Sequence, residues 1–381
     1  MMKFNLTRRN FMRAGLGTLA GTIGATLFGK GAMAQDGDGQ DADSVRQHMA
    51  HGSNGMVGQM NPEINQFDTL RLLTDWDYGV ESTLENGQTL REYNIVAVDL
   101  DIEIAPGITF PAWTYNGRVP GPTIRCTEGD RIRINFHNGG THPHTIHFHG
   151  VHPYGMDGVP GAGPGEISPG EAFTYEFDAE PFGCHLYHCH ALPLKRHIHK
   201  GLYGAFIVDP KEGRPPAREF MMMMMNAFDT NFDGGNEIYA VNTVGFEYAR
   251  RMIPVKVGER VRIYLINITE FDAINSFHLH AEFFDYYDHG TTLEPTLKTV
   301  DTIMQVQAQR GILEFSYRWP GEYMFHPHIA EFAELGWMGM FNVVEPENFA
   351  EALESVGLDE EWDILATNGS TVPWQGEEAS S

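Results

Sequence analysis

Four His-x-His pairs carry the chemistry most plainly: His147/His149, His188/His190, His278/His280 and His326/His328. On an extended strand residues i and i+2 point to one face, so each pair presents two imidazoles together. Imidazole suits copper, zinc, iron and nickel. Eight such ligands, at two equivalent places in two halves of the chain, imply more than one metal. The stretch 183–202 adds softer donors. Cys189 lies between His188 and His190, so its thiolate points to the opposite face; His197 follows it and His144 lies upstream. Two imidazoles, one thiolate and a weak axial position make a blue-copper electron-transfer site. Leu202, five residues after His197, takes the axial position. It offers no donor, which favours the reduced metal and raises the potential.

An internal repeat must position these residues. Residues 129–135 (GDRIRIN) recur as 258–264 (GERVRIY), 144–150 (HTIHFHG) as 275–281 (NSFHLHA), and 182–190 (FGCHLYHCH) as 320–328 (PGEYMFHPH). In the second copy His144 becomes Asn275, Cys189 becomes Pro327, His197 becomes Phe332 and Leu202 becomes Trp337, while every His-x-His pair is kept. The residues thus separate into two functional sets, one present twice and one erased from the second copy. Around them, short runs of Val, Ile, Phe and Tyr alternate with Gly, Pro and Asn turns, the pattern of an all-β sandwich. The only expected helix lies near 349–356. The run 221–225 of five methionines reads as a buried first strand of the second domain. Glu331 and Glu334 read as ordinary surface acids, and His199 as the rival to His197.

At this point the chain resembles the multicopper oxidases. The resemblance rests on His144-x-x-His147-x-His149-Gly150, on His188-Cys189-His190 with His197-x-x-x-Gly201-Leu202, and on 116–125 (NGRVPGPTIR), and it spans about 90–345. It implies two tandem cupredoxin-like Greek-key β-sandwich domains. It implies type 1 copper on His144, Cys189 and His197 with Leu202 axial, and type 2 copper on His147 and His278. A type 3 pair would take His149, His188, His190, His280, His326 and His328. Four coppers per subunit would couple one-electron oxidation of a small reducing substrate (a phenol, an aromatic amine or a metal ion) to reduction of O₂ to water. The resemblance further implies a homotrimer, with each trinuclear cluster built between two subunits. Asp157 stands where the family keeps an acid that delivers protons to the cluster. A copper nitrite reductase is the competing reading, but its second site uses one copper and three histidines and leaves most of the eight without work. An inert copper-binding protein of the same fold is the other alternative.

The expected divisions are a signal segment 1–34, a flexible acidic segment 35–87, domains at 88–212 and 213–347, and a tail 348–381. The first contains a twin-arginine motif at Arg8 and Arg9, a Gly-rich apolar run too short for a good membrane span, and a small-x-small cleavage site at 32–34. The expected location is therefore extracytoplasmic, with no membrane span once the signal is removed. Acidic residues outnumber basic ones 51 to 26. That excludes nucleic acid, which needs a positive face, and hints at a cationic or neutral substrate. Of three cysteines, Cys126 and Cys184 could form a disulfide or remain two buried thiols.

Overall fold

The strand Arg131–Asn138 sets the pattern of the fold: Ile132, Ile134 and Phe136 are buried, while Arg131, Arg133 and Asn135 face outward. A period of two produces one wet and one dry face, and two dry faces must close on each other. The computed structural model describes residues 60–224 and 226–375. The signal segment lies outside them, as does Met225.

The first sandwich pairs two sheets. One runs Trp76–Asp77, Thr123–Thr127, Tyr203–Asp209, Gly183–His188 and His147–Phe148; the other joins Val80–Thr83, Thr89–Ala105, Arg131–Asn138 and Ala172–Asp178, with Ile108–Tyr115 paired to Thr89–Ala105. The second sandwich repeats the arrangement. Its sheets are Arg218–Met224, Val261–Asn267, Arg310–Phe315, Phe284–Asp288 and Leu297–Val300, and Ile253–Lys256, Gly339–Val344, Gly321–His326, Ile274–Leu279 and Thr302–Val306. Both are cupredoxin-like β-sandwiches, the fold class expected from the sequence. Met221 is buried in the strand Arg218–Met224, and a helix spans Phe349–Ser355.

Three apolar clusters hold the molecule together. Ile95, Ile134, Phe136, Phe148 and Tyr187 fill the first sandwich, and Phe277, Phe325, Trp337 and Phe341 fill the second. A third cluster joins the two domains, with Leu186, Ile198 and Tyr203 against Met221, Phe228 and Ile312. Among the described residues no helix is long and apolar enough to cross a membrane.

One expectation needs correction. The flexible segment fails over 60–87: Leu70 and Leu73 are fully buried in the second domain's core, and Trp76 pairs in register with Thr123. The tail is equally anchored, because Trp362 has no exposed surface and stacks on Phe220. Both segments carry large apolar side chains whose burial offsets the entropy of ordering the backbone. Of the two states open to Cys126 and Cys184, the structure has the free buried thiols, Cys126 inside the first sandwich and Cys184 in the interdomain cluster.

Candidate metal centres

Strand register builds the imidazole sets. His147 pairs directly with His188, and His278 with His326, so each His-x-His meets its partner across two adjacent strands. In the first domain the His147 ring lies 5.1 Å from each of His149, His188 and His190, centre to centre. In the second domain His278 lies 5.0, 5.4 and 4.6 Å from His280, His326 and His328. The nearest nitrogens are equivalent: His149 Nε2 to His188 Nε2 is 3.0 Å, and His280 Nε2 to His326 Nε2 is 2.9 Å. His188 Nδ1 donates to the Cys189 carbonyl and His326 Nδ1 to the Pro327 carbonyl, at 2.9 and 2.8 Å. Those bonds fix the tautomer and leave each Nε2 with a lone pair aimed at a neighbour, the set-up of metal-binding histidines. Burial holds His149 down to about 2 and His188 down to about 3, so neither is charged at neutral pH.

The hydroxyl brace behind each set is also repeated. Thr145 Oγ1 accepts from His190 N at 2.9 Å, and Ser276 Oγ accepts from His328 N at 2.8 Å. Sequence reading passed over both residues, although the repeat places Thr145 on Ser276.

Among the described residues of one chain, no ring contact joins one quartet to the other; outside its own quartet His147 meets only His152, at 5.7 Å. Each domain therefore carries its own imidazole quartet. His280 and His328 are exposed. Beside them Ile274, Met304 and Val306 are 43, 58 and 47 % exposed. Ile274 opposes Val306 and Ser276 opposes Met304 across the strands, so these apolar residues share the face of His278.

The thiolate set is closed. Cys189 Sγ lies 3.2 Å from His197 Nδ1 and 3.9 Å from His144 Nδ1, and the two Nδ1 atoms are 3.2 Å apart. A point equidistant from the three lies roughly 2 Å from each, the bond length of imidazole nitrogen to a first-row metal. All three residues are buried. Burial holds His144 and His197 down to about 3 and 4 and pushes the Cys189 thiol up to about 11. Two neutral imidazoles crowded on a soft sulfur suit a metal that displaces the thiol proton. Leu202 is fixed to both neighbours, since its carbonyl accepts from Cys189 N at 2.9 Å and its N–H donates to His197 O at 3.3 Å. Trp113, not anticipated from the sequence, lies 4.8 Å from the His197 ring and 5.3 Å from His144.

In the second domain Trp337, Phe332 and Asn275 occupy the corresponding places and are all buried; Trp337 packs on Phe277 and Phe325. Aromatic volume fills the position where the first domain gathers donors.

His199 is not a strand neighbour of His197, because both lie on the helix Leu194–His199. Two positions along a helix turn a side chain by roughly 200°. His199 points to the second domain, where its Nε2 accepts from Asp229 N at 2.9 Å, and it is buried. Asp157 touches the first quartet directly: its Oδ1 is 2.9 Å from His147 Nδ1, and its carbonyl 2.8 Å. It also lies 3.5 Å from His152 Nε2. Asp157 therefore orients His147 as well as supplying a carboxyl group. Asp157→Ala is expected to weaken copper retention about 10- to 100-fold, the usual cost of losing such a partner. Chelator titration of the loaded protein measures it, and an unchanged midpoint would remove the orienting role.

Two family models, both described as multicopper oxidase, match residues 99–213 and 214–347. A crystal structure of a multicopper oxidase is 58% identical with a TM-score of 0.73, covering 75% of this chain and 100% of its own. A blue copper oxidase from Nitrosomonas europaea is 28% identical with a TM-score of 0.59, covering 71% and 95%. A copper-containing nitrite reductase from Neisseria meningitidis serogroup A is 30% identical over 277 residues, 66% of this chain and 69% of its own length. The chain belongs to the multicopper oxidase family. Its relatives are copper oxidoreductases, and the imidazole and thiolate donors are of the type copper takes.

Proposed function

We propose that the protein is a laccase-like oxidase that takes single electrons from a small reducing substrate and uses O₂ as acceptor. The observation that carries this reading is the retention of all eight imidazoles in two equivalent quartets. A nitrite reductase with a single three-histidine copper would leave most of them idle.

His144, Cys189 and His197 would hold type 1 copper, and Leu202, tied by its backbone to Cys189 and His197, would flank it with an apolar side chain. His147 and His278 would hold type 2 copper, and His149, His188, His190, His280, His326 and His328 the type 3 pair. When bound, copper supplies a one-electron couple at the thiolate set and a store for several electrons at the imidazole sets. Cys189 is covalently continuous with His188 and His190, so one backbone segment connects the two kinds of site. Asp157 aligns His147 and offers a carboxylate where reduction of O₂ to two waters consumes protons.

The two quartets complete each other in this reading when one subunit's first domain meets another's second domain, in a homotrimer. The exposed imidazoles and the apolar residues beside them support that assembly, since such a face in a monomer would stand in water. The reading also includes twin-arginine export to an extracytoplasmic site.

Metal analysis with an oxygen electrode tests the activity. About four coppers per chain and O₂ uptake with a phenol are expected; two coppers and turnover of nitrite would sink it.

A further inference from the structure

Beside the thiolate set the molecule opens into a cleft of about 540 Å³. The helix Leu194–His199 and Lys200 form one wall, and the second domain's loops bearing Phe232 and Phe271 form the other. A larger cleft of about 800 Å³, near Met60 and Arg250, contains none of the metal-donor residues.

The smaller cleft runs against the charge of the chain. Lys195, Arg196 and Lys200 all line it in a protein of net charge −25. Among the described residues, none of the three has a carboxylate within ion-pair distance. The two acids that line the cleft are engaged by backbone: Asp229 accepts from the N–H groups of Asp233 and Gly234 at 3.1 and 2.8 Å, and Asp233 accepts from Gly235 N. The cations rest on rings instead. Lys195 Nζ lies 3.9 Å from the centre of Phe271, and Lys200 Nζ 4.9 Å from Phe110 and 5.2 Å from Phe232. A ring face holds a cation without using its directional donors, which remain available to an anion.

Two further observations point to a ligand. Phe232 is 59 % exposed on the rim. Phe232 and Phe271 both adopt positive φ, 57° and 73°, where bulky side chains are true outliers. Strain of this kind concentrates at ligand clamps. The cleft is also wired to the thiolate set. Arg196 and Lys200 lie 5.5 and 5.7 Å from the Trp113 ring, which packs on His197 and His144.

We infer that this cleft is the electron-donor site and that its donor is an anionic phenol, a hydroxylated ring bearing a carboxylate. The ring packs between Phe232 and Phe271, and the carboxylate meets Lys195, Arg196 and Lys200. The inference rests on the oxidase reading and replaces the cationic donor suggested by overall charge. Each phenol loses its O–H hydrogen as one electron, passed toward His197 and Cys189, and one proton, released to solvent, leaving a phenoxyl radical. Four phenols and one O₂ give four radicals and two waters.

The test uses the full-length, copper-loaded protein with 4-hydroxy-3-methoxycinnamate and its methyl ester, the same phenol with and without charge. The acid is expected to show about tenfold higher kcat/KM at low salt, the effect of one charge-assisted contact, and the gap should close as salt rises. Lys195→Gln and Lys200→Met are expected to lower kcat/KM for the acid about tenfold and for the ester far less. Lys195, being exposed, keeps the test valid if the Lys200 variant folds poorly. Independently of turnover, redox-inert benzoate should bind the copper-free protein, as seen by saturation-transfer NMR, and bind more weakly to Lys195→Gln. Equal use of acid and ester, preference for ferrous ion over both, or absence of benzoate binding each overturns the inference while leaving the oxidase intact. Absence of O₂ uptake with every donor overturns the oxidase reading instead, and the donor role with it.

Discussion

Neither His188→Ala nor His326→Ala is expected to consume oxygen alone, yet an equimolar mixture, dissociated and reassembled, is expected to recover about a quarter of the wild-type rate. His188 belongs to the quartet of the first domain and His326 to that of the second. Within one chain the two quartets make no ring contact with each other among the described residues. A cluster shared between subunits is whole wherever an intact first domain meets an intact second domain. In random assembly that occurs at about one interface in four. Oxygen uptake of the mixture, with light scattering to follow assembly, decides the matter. No recovery from properly assembled mixtures would mean that each cluster is completed within a single chain. The apolar face formed by Ile274, Met304 and Val306 beside His278 makes the shared arrangement the expected one.

Arg125→Met is expected to destabilise the protein by about 3–5 kcal/mol, the usual result of stripping one partner from a buried ion network. Arg125 is fully buried and grips Asp209 with two hydrogen bonds of 2.9 Å. Its Nη1 also lies 2.8 Å from Glu219 Oε2, at ion-pair distance though without hydrogen-bond alignment. Glu219 accepts from Arg262 at 2.7 Å and from Tyr264 at 2.9 Å. The network crosses the domain boundary, since Arg125 and Asp209 belong to the first sandwich and Glu219 and Arg262 to the second. The N- and C-terminal segments close it. Trp76 lies under the Arg125 guanidinium at 4.7 Å, and Thr371 donates twice to Asp209 at 2.8 Å. A Cβ at Gly369 would approach Arg125, Glu219 and Trp76 to 2.7 Å, so only glycine fits there.

Burial alone would raise the Glu219 carboxyl, but Arg125 and Arg262 outweigh it and hold the group well below the usual carboxylate range. A depressed folded-state pKa gives stability that is present above the unfolded value and lost as pH falls toward the folded one. Stability of the wild type should therefore decline below about pH 4.5, and Glu219→Gln should flatten that part of the profile. Urea midpoints across pH for Arg125→Met, Glu219→Gln and the double variant measure both effects. A cost under about 1 kcal/mol for Arg125→Met would show that the network is dispensable.

Chemistry that depends on short-range periodicity was legible from the chain alone. A period of two told which face each His-x-His pair shares, and the repeat separated the thiolate set from the imidazole sets. Two sandwiches followed from alternating short strands. Sequence left His199 as a rival to His197, and the short helix that carries both sends its ring to the other domain. The burial of the segments 60–87 and 348–375 escapes local pattern for a different reason. Composition marks them as polar and loosely patterned, while Leu70, Trp76 and Trp362 find their burial only in partners roughly 50 to 290 positions away.

What the sequence determined by itself was the set of donors, because ligand chemistry is written in residue type and strand spacing. Which donors meet was decided by tertiary structure. Folding gathers His144, Cys189 and His197 around one point, keeps the two quartets apart, and seats a cationic cleft against Trp113 on a strongly acidic chain. Net charge and local spacing average over the whole surface or over a few residues, whereas a site depends on which distant segments packing brings to the same place.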